Sequence, residues 1–194
     1  LVLEYRQYTK VDRRDNPFLQ SDTLVGINGG SIAGMGLVWV WDTRDHVFFP
    51  NDGGFTQAKV IFYTGDVGSD YTYSWFEVNS RRFWSFLPDH VIAAQIYLLT
   101  TGGVPPFFKY PALGGSKIMR GYFEGRYRDK NYLAGQVEYR QYFWWRFGFV
   151  AFIGAGDVVR IDTADHNGLY RIDRIEEAGL RLAEATRIDA EVYQ

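Results

Sequence analysis

The sequence predicts an all-β fold, an antiparallel up-and-down transmembrane β-barrel. Three observations carry this. Period-two alternation dominates, giving nine strand candidates, and long helical periodicity is nearly absent. Aromatic residues make up 18 % of the 194, a share that suits girdles at two membrane interfaces. The connections alternate between long and short, as in barrels with short turns at one rim and long loops at the other. On composition alone an aromatic-rich soluble β-sandwich fits as well. Loop length decides for the membrane, because a sandwich has no reason to sort its loops by side.

Residues 2–8 are the first strand candidate. In 31–42, Leu37, Trp39 and Trp41 share one face, and Val38, Val40 and Asp42 share the other. In 55–65, Ala58, Val60 and Phe62 oppose Gln57, Lys59 and Tyr63. In 71–83, Phe76 and Val78 oppose Glu77, Asn79 and Arg81. In 90–101, Ile92, Ala94, Ile96 and Leu98 oppose Gln95 and Tyr97. In 131–142, Leu133, Val137 and Tyr139 oppose Gln136, Glu138 and Arg140. Residues 146–156 are apolar on both faces. Segment 170–182 reads two ways: Glu176, Glu177 and Arg181 suit a helix, while Gly179 favours a strand. Segment 186–193 alternates again, with Ile188, Ala190 and Val192 against Arg187, Asp189 and Glu191. The expected lipid face contains Ala58, Val60, Phe62, Phe76, Val78, Ile92, Ala94, Ile96, Val137 and Ile188.

Between these segments, 10–30, 103–130 and 157–169 are long, and 143–145 and 183–185 are short. Residues 43–54, with Pro50 and Gly53-Gly54, make a compact turn on the short side. Residues 66–69 are the exception, a short connection on the long side. Nine strands is an odd number, and an open edge in lipid leaves backbone groups unpaired. Further strands are therefore expected before Leu1 and after Gln194, unless 2–8 pairs with 186–193 in a small self-closed barrel of about eight strands.

Net charge is −2, so no basic field points to nucleic acid. No apolar run approaches the ~20 residues of a transmembrane helix, and the mean hydropathy of −0.24 suits strands with one face in lipid and one in water. Cysteine is absent, which removes disulfides and thiolate metal sites. The chain begins at Leu1 without a signal peptide, so either one has been removed or this is an internal piece of a longer protein.

The most specific stretch is 113–140, LGGSKIMRGYFEGRYRDKNYLAGQVEYR. A Gly114-Gly115 approach leads to Arg120-Gly121-Tyr122, a basic descent through Arg126, Arg128 and Lys130, and a strand ending Glu138-Tyr139-Arg140. This combination resembles the signature loop of the BamA/TamA family of outer-membrane proteins, the bacterial surface antigen barrel domain. A second stretch resembles the same family. It runs Gly34-Met35-Gly36-Leu37-Val38-Trp39-Val40-Trp41-Asp42-Thr43-Arg44-Asp45, then Phe48-Phe49-Pro50 and Gly53-Gly54. The resemblance covers roughly residues 31–190. It implies the C-terminal part of a barrel of about sixteen strands, an inward-folding loop over 103–130, and a home in the bacterial outer membrane.

Site expectations follow. An arginine in a wet lumen seeks a carboxylate, which its planar fork binds bidentately. Gly121 permits a tight turn or positive φ, and Tyr122 supplies an aromatic plate with a polar end. In the family the arginine pairs with acidic residues on the strands that follow the loop. Glu138 is the expected partner, since the next strand carries Gly154 where many relatives have Asp. In the periplasmic turn, Asp42 and Asp45 are expected to accept backbone N–H groups, with Arg44 bridging them.

Other motifs fall away. Gly154-Ala155-Gly156 lacks the third glycine and the helix of a dinucleotide loop. Gly30-Ser31-Ile32-Ala33 is not a nucleophile elbow. His46, His90 and His166 lack metal spacing, and Glu176 and Glu177 would face opposite sides of a strand. No catalytic residue, metal site or cofactor is expected, and the chain is not expected to be an enzyme. The resemblance implies a role in inserting or translocating other outer-membrane proteins. Its implied partners are the lipid bilayer, client proteins and accessory subunits, and periplasmic peptide-binding modules would precede Leu1. The competing reading is a passive pore, or a membrane anchor for an N-terminal enzyme such as a patatin-like lipase. A third is a stand-alone mini-barrel.

Overall fold

The computed structural model describes residues 1–8, 24–144, 147–159, 161–162 and 171–172. Seven long strands form one antiparallel sheet in chain order: β1 (Val2–Tyr8), β2 (Gly30–Asp42), β3 (Gly53–Tyr63), β4 (Tyr73–Leu87), β5 (His90–Gly103), β6 (Asn131–Trp144) and β7 (Phe147–Val159). Each strand pairs with its sequence neighbour, the up-and-down order of a barrel wall. β8 (Ile161–Asp162) and β9 (Arg171–Ile172) form a separate two-residue ladder. Among the described residues β1 and β7 do not pair with each other, so the sheet is open. The expected strand 186–193, with Ile188, lies outside the described residues, as do Glu176, Glu177 and His166. Of the segment 170–182, only β9 is described.

The observed strand ends lie within four residues of the expected ones: β3 stops at Tyr63 rather than 65 and β4 starts at Tyr73 rather than 71, while other ends run on. The largest gain is at the end of β4, where Trp84-Ser85-Phe86-Leu87 continue past the expected end at 83. A register shift between Ser85 and Leu87 breaks the alternation there, which removes the sequence signal.

Register sorts the side chains onto two faces. One row runs Trp39, Ala58, Val78, Leu98 and Leu133 across β2 to β6. This face is apolar and exposed: Ile96 is 60 % exposed, Leu133 56 % and Ile153 59 %. A contiguous apolar surface of this extent is costly in water and is at home in lipid. At the short-turn rim it ends in aromatic residues. The rings of Phe86, His90 and Tyr139 cluster, with His90 Nδ1 2.7 Å from the Tyr139 hydroxyl, and Trp39 and Trp41 meet edge to face.

The opposite face is polar and internally bonded. Gln136 donates to Gln95, and Gln95 donates to Asn79, each at 3.0 Å. Lys59 and Glu77 pair at 2.7 Å, and Glu77 also accepts from Trp75 and Tyr97. The buried apolar residues also lie on this side, beneath the connection between β5 and β6. That connection is the core of the molecule.

Candidate functional site

Residues 104–130 cross the polar face twice, and each crossing is anchored. The chain leaves β5 at Gly103, whose φ of 79° suits only glycine well. Pro105 and Pro106 are fully buried. Pro106 lies against Gly26, where a Cβ would come within 2.6 Å of the proline ring, and the Phe107 amide donates to the Val25 carbonyl at 2.9 Å. A short 3-10 turn, Phe107–Lys109, then presents two side chains to β1. Phe108 packs on Tyr8 with ring centroids 4.2 Å apart, and Lys109 Nζ reaches Glu4 at 3.0 Å. Glu4 also accepts from the Tyr63 hydroxyl at 2.7 Å and pairs with Arg6 at 3.1 Å. Tyr63 is held flat by stacking on Tyr73, centroids 4.2 Å apart. That ring explains Gly34, where a Cβ would stand 2.5 Å from it.

The second crossing is a hairpin-like excursion. Leu113 accepts from the Gly125 amide and donates to the Tyr127 carbonyl, and Ala112 bridges to Arg128. Gly114 and Gly115 take φ values of 96° and 115°, which bend the chain back onto the wall. Leu113, Ile118 and Met119 are buried against Leu99, Tyr132 and Ala134. This contact carries the loop's packing energy, at roughly 1.5–3 kcal/mol for each large apolar side chain fully removed from water.

The tip is the turn Met119-Arg120-Gly121-Tyr122, closed by the Tyr122 amide donating to the Met119 carbonyl at 3.1 Å. Gly121 serves the tight turn, and the positive φ at the tip belongs to Met119, at 55°. Burial of the Met119 side chain accompanies that conformation. Arg120 meets Glu138 at 3.1 Å, through one nitrogen and one oxygen rather than a bidentate fork. The other Glu138 oxygen accepts from Arg140 at 2.5 Å. The Arg120 guanidinium also lies over the Phe152 ring, 4.4 Å from its centroid. Register places Phe152 directly beside Glu138, so one arginine caps a carboxylate and an aromatic ring together. Tyr122 packs on the buried cluster and stands edge to face with Tyr127.

The turn of residues 43–52 differs from the expectation in one respect. Arg44 does not bridge the two aspartates. It clasps Asp42 bidentately at 2.6 and 2.8 Å, donates to the Val47 carbonyl and lies over Phe55. Asp45 serves the backbone instead, accepting from the amides of His46, Asn51 and Asp52 at 2.9, 2.9 and 3.2 Å. These bonds hold its carboxyl below the usual range, the Asp52 amide contributing most. The turn curls over the polar face, so that Arg44, Phe48 and Pro50 line the same cleft as Arg120 and Glu138.

A model of the Omp85 superfamily domain matches residues 5–182, nearly the whole chain. The chain belongs to the Omp85 superfamily. Omp85 proteins are outer-membrane β-barrels involved in protein insertion and translocation. No curated protein matches the chain. The Omp85 match spans β2 to β7 entire and includes the whole 104–130 loop.

Several residues at this Omp85 site carried no sequence signal. Phe152 reads as one more apolar residue in a strand apolar on both faces. Arg140 ends the Glu138-Tyr139-Arg140 motif, yet nothing in the sequence shows that it takes the second Glu138 oxygen. Lys109 and Glu4 are 105 positions apart, and only the folded sheet brings them together.

Proposed function

We propose that the chain is the barrel wall of an outer-membrane protein of the BamA/TamA type, which assists insertion or translocation of other outer-membrane proteins. The observation that carries this reading is the loop of residues 104–130, docked on the polar face with Arg120 on Glu138 and Phe152. A passive wall needs only strands. This chain commits more than twenty residues to a strut tied to β1 at one end and to β6 and β7 at the other. The strut makes the curvature of the wall depend on a few polar contacts, so the wall can yield locally without losing its strand pairing.

The action is physical rather than covalent: the protein lowers the barrier to membrane entry of a client strand. Arg120, Gly121 and Tyr122 set the strut tip, Glu138 is its lumen partner, and Asp42, Arg44 and Asp45 shape the periplasmic turn. The partners are the bilayer, client barrels and accessory subunits.

The test is reconstitution. The full chain in vesicles should speed the folding of a denatured outer-membrane protein into those vesicles, and Arg120→Ala should slow it while leaving the strand content unchanged. A rate equal to that of protein-free vesicles would contradict the reading. So would an Arg120→Ala variant as active as the native chain.

A further inference from the structure

The short-turn half of the polar face carries a charge imbalance. A cleft of about 360 Å³ lies between the sheet, the turn of residues 43–52 and the tip of the 104–130 loop. Among the described residues, five cationic side chains line it: Arg44, Arg81, Lys117, Arg120 and Arg140. Among the described residues one carboxylate, Glu138, also lines it, and that group is already shared by Arg120 and Arg140. Arg44 is satisfied outside the cleft by its bidentate grip on Asp42. Arg81 and Lys117 have no carboxylate partner among the described residues. Arg81 Nε is buried without a hydrogen-bond partner. A buried guanidinium nitrogen without an acceptor is unfavourable, and it calls for an ion or a water.

The sources of charge approach from different directions. Arg81 rises from β4, in the row of Gln95 and Gln136. Arg140 stands on β6, Lys117 descends from the loop, and Arg44 closes from the turn. A single carboxylate presents one planar edge and satisfies one fork. A tetrahedral oxyanion presents acceptors on several sides and suits convergent forks and ammonium groups. We propose that this lumenal cleft is a binding site for a phosphate-class oxyanion, with Arg81 and Lys117 as its principal ligands and Arg140 in support. Its principal ligands are distinct from the strut contact, because neither Arg81 nor Lys117 holds Glu138; only Arg140 touches both. It stands independently of the insertion reading.

The experiment is a phosphorus NMR titration of the full chain refolded in a non-ionic detergent. One arm adds inorganic phosphate and pyrophosphate. A second dopes the micelles with phosphatidylglycerol, to separate a free anion from a lipid headgroup. Line broadening should saturate in one of these arms, and pyrophosphate should bind more tightly than phosphate. Arg81→Gln and Lys117→Gln should each weaken binding, the former by roughly tenfold or more. Arg82→Gln, on the opposite face of the same strand, should leave it unchanged. Lys117 lies on an exposed part of the loop, so Lys117→Gln keeps the test valid if Arg81→Gln fails to fold. No saturable binding in either arm would mean that Arg81 is hydrated and the site does not exist. Binding that survives both substitutions would overturn it equally.

Discussion

At the residue scale, the balance around Glu138 decides how much the strut tip is worth. Arg120 is about one-third exposed and Glu138 mostly covered. The Coulomb attraction is therefore screened on the arginine side, and Glu138 keeps Arg140 if Arg120 is lost. The pair contributes about 1 kcal/mol, and its main effect is positional. Arg120→Ala and Glu138→Ala should each loosen the tip, and the double variant should be little worse than either single one. Additive losses in a double-mutant cycle on chemical unfolding would show that the two act independently. Arg120→Lys separates charge from shape. It keeps the cation but loses the planar stack on Phe152, so faster proteolysis near residues 119–126 is expected. Lysine performing as well as arginine would remove Phe152 from the account.

The second anchor makes an equally specific claim. Lys109 and Glu4 are both well covered, with Tyr63 and Arg6 as further partners of the carboxylate. Breaking one side leaves a partly buried charge uncompensated, which costs more than the pair itself contributes. Glu4→Lys and Lys109→Glu should each release residues 105–110 to proteolysis, and the charge-swapped double variant should restore part of the protection. No restoration in the swap would mean that Phe108 on Tyr8, not the ion pair, holds this end.

At the scale of elements, two connections are closed by a carboxylate. Asp45 accepts three backbone amides of its own turn, and Asp70 accepts the Ser31 amide at 2.6 Å and the Ser31 hydroxyl at 3.0 Å. Both carboxyls are held below their ordinary values, by the Asp52 amide first and by the Ser31 amide first, respectively. A folded-state value below the unfolded one means that the stabilisation is complete above the unfolded carboxylate range, near pH 4. It is lost as pH falls through the lower folded value. Hydrogen exchange of the Asn51 and Asp52 amides, corrected for intrinsic rates, should therefore rise on acidification below pH 4. In Asp45→Asn that pH dependence should vanish. Exchange that stays flat in the native chain would show that the turn does not depend on this carboxylate.

The strands themselves were legible wherever one face meets lipid and the other meets a polar lumen. Ala58, Val60 and Phe62 against Lys59 form such a pattern, and β3 follows it. The signal failed where both sides have similar chemistry. The end of β4 mixes Trp84, Ser85, Phe86 and Leu87 around a bulge, and a rim residue can be aromatic on either face. The tip motif was legible as a unit, and so was Glu138. What the motif could not show was its backbone geometry, since the unusual φ fell on Met119 rather than Gly121. Nor could it show its surroundings. Phe152, Arg140, and the Lys109–Glu4 contact arise from register and from long-range folding, neither of which leaves a local pattern.

At the scale of the whole molecule, the apolar face should be embedded and the opposite face wet. Ile96→Arg at mid-membrane should cost ~2–4 kcal/mol. Spin labels at 96 and 137 should be relaxed by lipid-soluble oxygen, and labels at 79 and 117 by an aqueous nickel complex. Equal oxygen accessibility on both sides would mean that the face assignment is wrong, and the barrel reading with it.

The central claim is that the 104–130 loop lies docked along the lumenal wall of the membrane-embedded protein. Cysteines at Lys117 and Gln136 test it most directly. The Gln136 side chain donates to the Lys117 carbonyl at 3.3 Å, and neither substitution touches Arg120 or Glu138. The chain has no cysteine of its own to interfere. With a short bifunctional methanethiosulfonate in vesicles, the 117–136 pair should cross-link rapidly and nearly to completion. A control pair at 136 and the outward-facing Phe123 should cross-link slowly. If the 117–136 pair reacts no faster than the control, and both cysteines label freely from water, the loop is not docked and the strut does not exist.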